Sequence, residues 1–211
     1  MTGDDERAAA GAGPVRAPSL RAEQVRQTRA ALIHTARALF GERGFAATSV
    51  DDIAHRAGVT SGALYHHFPT KTALFETVFE ELHAELLEAS AAAASTGHGH
   101  VDRLSRGFDA FLDAVLDPYV QRIVLLDAPA VLGLARFTEL DERYAFGAVV
   151  VALERARADG ALRVPHPETL ARLLLGALTR GGLLIASAPD PHQTRDDVAR
   201  TIRDLLAGLE P

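Results

Sequence analysis

The side chains with the most evident chemical potential lie in one short run, GVTSGALYHHFPTKTALF, at positions 58–75. Its hydroxyls, imidazoles and ammonium group could bind a metal ion, transfer protons or bind an anion. A metal site is disfavoured because neighbouring residues on a helix, such as His66 and His67, point about 100° apart, and no further ligand follows at a chelating spacing. The chain has no cysteine, and the sequence predicts neither a metal nor another cofactor.

The same side chains are better suited to an anion, because small polar residues begin a short helix here. Gly58 separates two short predicted helices, and Thr60 or Ser61 is the expected N-cap of the second. Two short helices joined by a glycine turn form a helix-turn-helix, in which the second helix enters the DNA major groove. Free N–H groups at its start attract phosphate, and Thr48 and Ser49, at the start of the preceding helix, are placed to hold a phosphate on the other flank.

The elements that must position this run are predicted to be helices throughout. Apolar residues recur at helical spacing and no stretch shows sustained two-residue alternation, so the expected fold class is all-α with about nine helices. Gly44 is the predicted C-cap of the first helix, and Pro69 ends the third. Thr70 then begins a fourth helix with a long apolar stripe.

Composition and charge divide the chain into three predicted parts. Residues 1–19 mix Gly, Ala, Pro and charge, which predicts a flexible arm, whereas 20–70 form the predicted helix-turn-helix domain and 71–211 a larger helical domain. Residues 16–71 carry eight Arg and Lys against four Asp and Glu, a net charge of +4, although the whole chain carries −6. This asymmetry favours an anionic partner for the N-terminal part, although a solvated Arg-rich helix would show the same charge.

Nothing in the sequence predicts export or insertion into a membrane. The first residues, MTGDDER, are acidic where a signal peptide is basic, and the longest apolar runs, such as 146–153, are far shorter than the ~18 residues that a spanning helix needs. A hydrophobic content of 47% with 24% charged residues is ordinary for a soluble globular protein. We therefore predict a cytoplasmic protein without a membrane partner.

The segment at 26–79 contains the run G-V-T-x-G-x-L-Y-x-H-F-x-x-K and resembles the DNA-binding domain of the tetracycline-repressor (TetR) family of bacterial regulators. The resemblance implies a three-helix DNA-binding head, a fourth helix that links it to a larger ligand-binding body, and homodimers joined through the last two long helices. Ligand binding in the body would then shift the fourth helix and release DNA. The resemblance places Thr60, Ser61, Gly62 and Tyr65 at base-facing positions, and Ser49, His66, His67 and Lys71 at phosphate-facing positions.

The effector is less well specified by the sequence. Four aromatic residues in the body are candidates for the lining of a pocket: Phe108, Phe111, Phe137 and Tyr144. Aromatic residues at helical spacing are also typical of an ordinary core, so this alternative stays open. We expect the effector to be an apolar or amphipathic small molecule.

The function that the sequence favours is that of a homodimeric, ligand-released repressor of a near-palindromic operator in double-stranded DNA. Enzyme fingerprints such as G-x-S-x-G, H-E-x-x-H and G-x-G-x-x-G are missing from the sequence, so no enzymatic activity is predicted. Two alternatives stay open. One is a DNA-binding regulator of the same fold that responds to no ligand, and the other is a helical carrier or enzyme with a vestigial DNA-binding head.

Overall fold

Nine helices make up the part of the chain that this computed structural model describes, residues 20–211 without the side chain of Asp141. The structure is 81% helical and has no strand in this range, which confirms the predicted all-α class. The helices are α1 (Leu20–Arg43), α2 (Val50–Arg56), α3 (Ser61–His67), α4 (Lys71–Ser95), α5 (His100–Ala114), α6 (118–132), α7 (134–158), α8 (Pro167–Ser187) and α9 (Pro191–Ala207). Within α6 and α7 lie the π-helical stretches Gln121–Asp127 and Glu142–Phe146. The arm predicted at 1–19 lies outside the described residues.

Capping residues set the boundaries of the first four helices. Gly44 ends α1 in the left-handed region, at a φ of +82°, which glycine adopts without steric cost. Ser49 caps α2 through a capping box, in which it exchanges hydrogen bonds with Asp52. Thr60 and Thr70 cap α3 and α4, and each hydroxyl oxygen accepts a hydrogen bond from the N–H three residues on. The sequence predicted Gly44 and Thr70 as caps, and it left Thr48 or Ser49 open for α2 and Thr60 or Ser61 open for α3.

A small aromatic core holds the first three helices against the start of α4. The ring centroids of Phe40, Phe45 and Phe75 lie 5.2 to 5.7 Å apart. Ile53 of α2 and Leu64 of α3 are fully buried beside this cluster. Burial of Leu64 fixes the rotation of α3 about its axis, so that the opposite face of this helix is directed outward.

Helix α4 is shared between the helix-turn-helix and the rest of the chain. Near its start Phe75 contacts Phe40 of α1, and one turn later Phe79 contacts Phe137 of α7. Its later turns pack along α5, to which it is joined by a short connection. The apolar core is therefore continuous from α1 to α9, and α4 contributes to both parts of it.

Polar contacts also join the end of α1 to the π-helical stretch of α6. The carboxylate of Asp127 accepts a hydrogen bond of 2.7 Å from the N–H of Phe45. The guanidinium of Arg122 donates to the carbonyl oxygen of Glu42 at 2.6 Å. The two contacts hold the end of α1 and the turn that follows it against α6, so the position of the helix-turn-helix is tied to that of α6.

Helix α8 packs against four other helices, α5, α6, α7 and α9. Gly181 and Gly182 permit this close packing, because a Cβ at these positions would lie 2.6 Å from Val198 and 2.8 Å from Leu125, respectively. By length and composition, α8 is also the one helix within 20–211 that is long and apolar enough to cross a membrane. The expectation from uninterrupted apolar runs did not detect this helix, because Arg172 and Arg180 keep those runs short. A helix that packs against several others in the core of a soluble protein is equally apolar, because its side chains contact other helices and not water.

Candidate nucleic-acid interface and ligand cavity

Helix α3 presents one face to the core and the other to the surface. Leu64 is fully buried, whereas Gly62, Tyr65 and His66 are exposed and His67 is half-buried. The side chain of Tyr65 is 52% exposed, which is unusual for an aromatic residue of this size and leaves its hydroxyl available to a partner. The face predicted from the sequence to contact DNA is therefore a surface of the molecule.

The first turn of α3 carries two hydroxyl groups with different roles. The Thr60 oxygen accepts a hydrogen bond from the N–H of Ala63 at 3.2 Å and so caps the helix. The Ser61 hydroxyl donates to a carboxylate oxygen of Asp51 at 2.5 Å, across the glycine turn. Because its proton is committed to Asp51, the Ser61 oxygen is left to accept hydrogen bonds, which suits the amino groups of adenine or cytosine. The Asp51 contact was not predicted, because ten residues of sequence separate the partners.

Ser49 lies exposed at the start of α2, as a surface phosphate contact requires. Its oxygen accepts the N–H of Asp52 at 3.0 Å, and its own N–H donates to the Asp52 carboxylate at 3.3 Å. Hydrogen bonds from the hydroxyl and the backbone N–H of Ser49 hold the pKa of Asp52 below its usual range. The carboxylate is therefore ionised at neutral pH and keeps the start of α2 in place.

Thr48 and Lys71 are placed differently from the positions that the sequence predicted. Thr48 is only 1% exposed, and its hydroxyl donates to the carbonyl of Gly44 at 2.8 Å, so this side chain is not presented to a phosphate. The Lys71 ammonium donates to the carbonyl oxygens of Phe45 and Thr48, at 2.9 Å each, and lies 4.0 Å from the centroid of the Phe45 ring. These contacts close the turn between α1 and α2 and leave one N–H of the ammonium for a phosphate.

The histidines singled out in the sequence, His66 and His67, contact each other. No group of three or more His, Asp or Glu side chains able to hold a metal ion occurs within 20–211. The rings of His66 and His67 lie edge to face, with centroids 5.8 Å apart. His100, from the H-x-H pair after α4, instead has its Nε2 at 2.9 Å from a carboxylate oxygen of Asp159.

A cavity of about 360 Å³ lies between α4, α5, α7 and α8, a volume that is ordinary for a small-molecule site. Three of the four predicted aromatic residues, Phe108, Phe111 and Tyr144, line this cavity. Phe137 does not, because it is buried against Phe79 with ring centroids 5.9 Å apart. Its prediction as a lining residue was wrong.

The cavity also has polar walls, which the sequence reasoning did not identify. They consist of His83, Ser90, Ser95, His100, Arg103, Arg155 and Thr179. His83 interrupts the apolar stripe of α4 and is only 6% exposed. A histidine within an apolar stripe was the sequence signal that could have indicated a polar wall. Burial and the nearby carboxylate of Glu80 raise the pKa of Tyr144. Its hydroxyl, which is protonated at neutral pH in any case, is able to donate a hydrogen bond.

The exposed helix α3 follows a glycine turn, and the shared helix α4 joins it to the later helices, which line a cavity. This arrangement defines the class of helix-turn-helix regulators. Comparison with known proteins agrees with this class. Residues 32–78 match the model of the bacterial regulatory proteins of the tetR family, and residues 101–209 match that of the tetracyclin repressor-like C-terminal domain. The chain belongs to the TetR family, and it is a DNA-binding transcriptional regulator.

Individual relatives show how far the similarity extends. The Transposon Tn10 TetC protein of Escherichia coli is 26% identical over 154 residues, which cover 73% of this chain and 78% of that protein. The transcriptional repressor KstR2 of Mycobacterium tuberculosis is 32% identical over 123 residues, which cover 58% of this chain and 62% of that protein. The crystal structure of a TetR-family transcriptional regulator from Pectobacterium atrosepticum superimposes with a TM-score of 0.78 at 34% identity, over 89% of this chain and 96% of that one.

Proposed function

We propose that this protein is a cytoplasmic, homodimeric repressor that leaves a near-palindromic operator when an apolar or amphipathic ligand enters its cavity. Thr60, Ser61, Gly62 and Tyr65 would face the bases. The phosphate contacts would come from Ser49, His66, His67 and the remaining N–H of Lys71. In a dimer, two copies of α3 would enter successive major grooves about 34 Å apart.

The observation that carries this proposal is the position of α4, which forms one wall of the cavity and also packs against the helix-turn-helix. On the cavity side, Arg143 pairs with Glu80 of α4, and Tyr144 next to it lines the cavity. A ligand that displaces Tyr144 therefore acts directly on α4. Ligands shift an equilibrium only by their difference in affinity between two states, and the shared wall makes the cavity shape depend on the position of the head.

The proposal is tested with the DNA upstream of the gene that encodes this chain. We expect the purified protein to retard a fragment of this DNA in an electrophoretic mobility assay and to protect two half-sites about one helical turn apart. The proposed function would be contradicted if the protein bound this fragment no more tightly than a scrambled sequence of equal length. A shift that no hydrophobic compound reverses would favour the regulator that responds to no ligand.

The proposed dimer interface is an exposed apolar strip on the last two helices. Leu173 and Leu184 of α8 are 66% and 45% exposed, and Leu205 of α9 is 60% exposed. Leu173 and Leu184 are eleven residues apart and therefore lie on almost the same line of a regular helix. Large apolar side chains that share an exposed strip mark an association surface.

We expect the double variant Leu173→Glu, Leu184→Glu to be monomeric, because carboxylates would be buried without partners in the interface. Light scattering after size exclusion should give a mass near 22.5 kDa, against twice that value for the wild type. Operator affinity should fall by about a hundredfold or more, since one recognition helix would be bound at a time.

The matched control for this variant is Leu134→Glu, because Leu134 is 76% exposed at the start of α7 and lies outside the strip. This variant should remain dimeric and keep its operator affinity. A dimeric double variant, or a monomeric control, would place the interface elsewhere on the body.

A further inference from the structure

The charges on the cavity walls point to a particular class of ligand. Arg103 of α5 and Arg155 of α7 line the cavity, whereas no Asp or Glu side chain among the described residues does. The chain as a whole is acidic, with a net charge of −6. Two guanidinium groups without a carboxylate are therefore a local departure from the charge of the protein.

Both arginines lie near the same end of the cavity. His100 Nε2 lies 2.9 Å from Asp159, which joins the start of α5 to the residue after α7. Arg103 follows His100 by three residues and Arg155 precedes Asp159 by four, so each lies about one helical turn from this junction. The rings of His83 and Tyr144, with centroids 6.0 Å apart, join α4 to α7 at the other end. This second junction precedes Arg155 by eleven residues along α7, or about 16 Å.

Among the described residues, neither guanidinium pairs with a carboxylate close to it in sequence, namely Asp102 for Arg103 and Glu154 or Asp159 for Arg155. Asp159 is engaged by His100, and Asp102 accepts hydrogen bonds from the N–H of His98 and from Arg106. Arg103 donates its Nε–H to the Gly97 carbonyl at 3.1 Å, which leaves its terminal nitrogens.

Arg155 has fewer polar contacts than Arg103. It is exposed, and it makes no ion pair or side-chain hydrogen bond with any side chain described within 20–211. An arginine that merely covered apolar surface with its methylene groups would also direct its charge to water. An arginine that binds a ligand and one that only covers apolar surface differ in whether the charge contributes to the affinity for the ligand.

We propose that the effector is an anionic amphipath whose apolar body fits within this length of about 16 Å, with a carboxylate or similar anion at one end. The anion lies between Arg103 and Arg155, whose planar guanidinium groups bind carboxylates with two parallel hydrogen bonds. The apolar body runs along Leu104, Phe108 and Val149 towards Tyr144. This inference rests on the proposed function only in taking the cavity as the effector site.

Three probes with the same alkyl chain test the inference: decanoate, 1-decanol and decyltrimethylammonium, each used below its micellar concentration. Calorimetry on the full-length protein without DNA should show decanoate binding at least about tenfold more tightly than decanol, and the cation binding weakest. Arg155→Gln should weaken decanoate by about tenfold and leave decanol unchanged. Arg103→Gln should do the same, and its decanol affinity reports whether the cavity remains folded.

The matched control is Arg157→Gln, since Arg157 is exposed on α7 and does not line the cavity. It should bind all three probes as the wild type does. Equal affinity for decanoate and decanol, no binding of any probe, or a decanoate affinity that neither cavity variant lowers would overturn the inference. None of these results involves DNA, so they are distinguishable from a failure of the proposed function, which would appear as loss of the mobility shift.

Discussion

Replacing Gly62 by aspartate should abolish operator binding while the melting temperature of the protein stays unchanged. A Cβ at Gly62 would find only the Thr60 hydroxyl, at 3.9 Å, and the backbone there does not require glycine. A carboxylate in the first turn of α3 also favours the positive end of the helix. Facing DNA, the same carboxylate is opposed by the phosphates, and like-charge contacts at an interface cost several kcal/mol. We expect a loss of about a hundredfold or more in a fluorescence-anisotropy titration.

Two further substitutions separate the causes of that loss. Gly62→Ala adds a methyl group without charge and should weaken binding much less than the aspartate does. Gly147→Asp adds the same charge at another position where a Cβ meets no atom within 4 Å, and should leave operator affinity within about twofold. Wild-type affinity in the Gly62→Asp variant would show that α3 does not approach DNA by its first turn.

Filling the cavity should produce a protein that binds its operator and no longer releases it. Ala152 of α7 is half-buried and lines the cavity, so the ring in Ala152→Phe would occupy space that an alkyl chain needs. Each methylene excluded from an apolar site forfeits about 0.8 kcal/mol. The affinity for decanoate should therefore fall by more than about a hundredfold, as measured by calorimetry. In the mobility assay, concentrations of decanoate that release the wild type should leave this variant bound.

The control for cavity filling is Ala158→Phe, at the exposed end of the same helix and outside the cavity. It should bind decanoate and DNA as the wild type does. Leu175→Phe, on the α8 wall of the cavity, blocks the same space from another helix and should repeat the result. If both blocked variants still release DNA, the effector binds elsewhere and the cavity has no role in regulation.

The parts of the fold that the sequence predicted are those set by local chemistry. Gly44 and Thr70 were recognisable as caps, and Ser49 and Thr60 were each one of two candidates, because a cap satisfies backbone groups within a few residues. The exposed face of α3 was predictable for a similar reason, since Leu64 is the one large aliphatic side chain within that helix.

Contacts between distant segments were not predictable in this way. The carbonyl oxygens that hold the Lys71 ammonium belong to residues 26 and 23 positions earlier, and no pattern in the sequence shows that they converge on it. A lysine two residues after a proline is equally compatible with an ammonium that contacts phosphate alone. Only the path of the turn between α1 and α2 shows that two of its three N–H groups bind carbonyl oxygens.

Phe137 and Tyr144 show a second limit of sequence reasoning. They are seven residues apart and would lie on nearly the same face of a regular helix, so the sequence gives no reason to assign them different surroundings. The π-helical stretch Glu142–Phe146 begins after Phe137 and contains Tyr144, and it changes the rotation per residue. Tyr144 lines the cavity, whereas Phe137 packs against Phe79.

The turn after α1 has a consequence for how different compounds would act. Lys71 fastens this turn to α4, while Asp127 fastens the same turn to α6. A swing of the head relative to α6 must therefore break the Asp127 bond, at a cost of about 1 kcal/mol or more. A compound that fits the cavity equally well before and after the swing supplies none of this energy. Such a compound would occupy the protein silently and block stronger inducers, so affinity and efficacy are separate properties of its ligands.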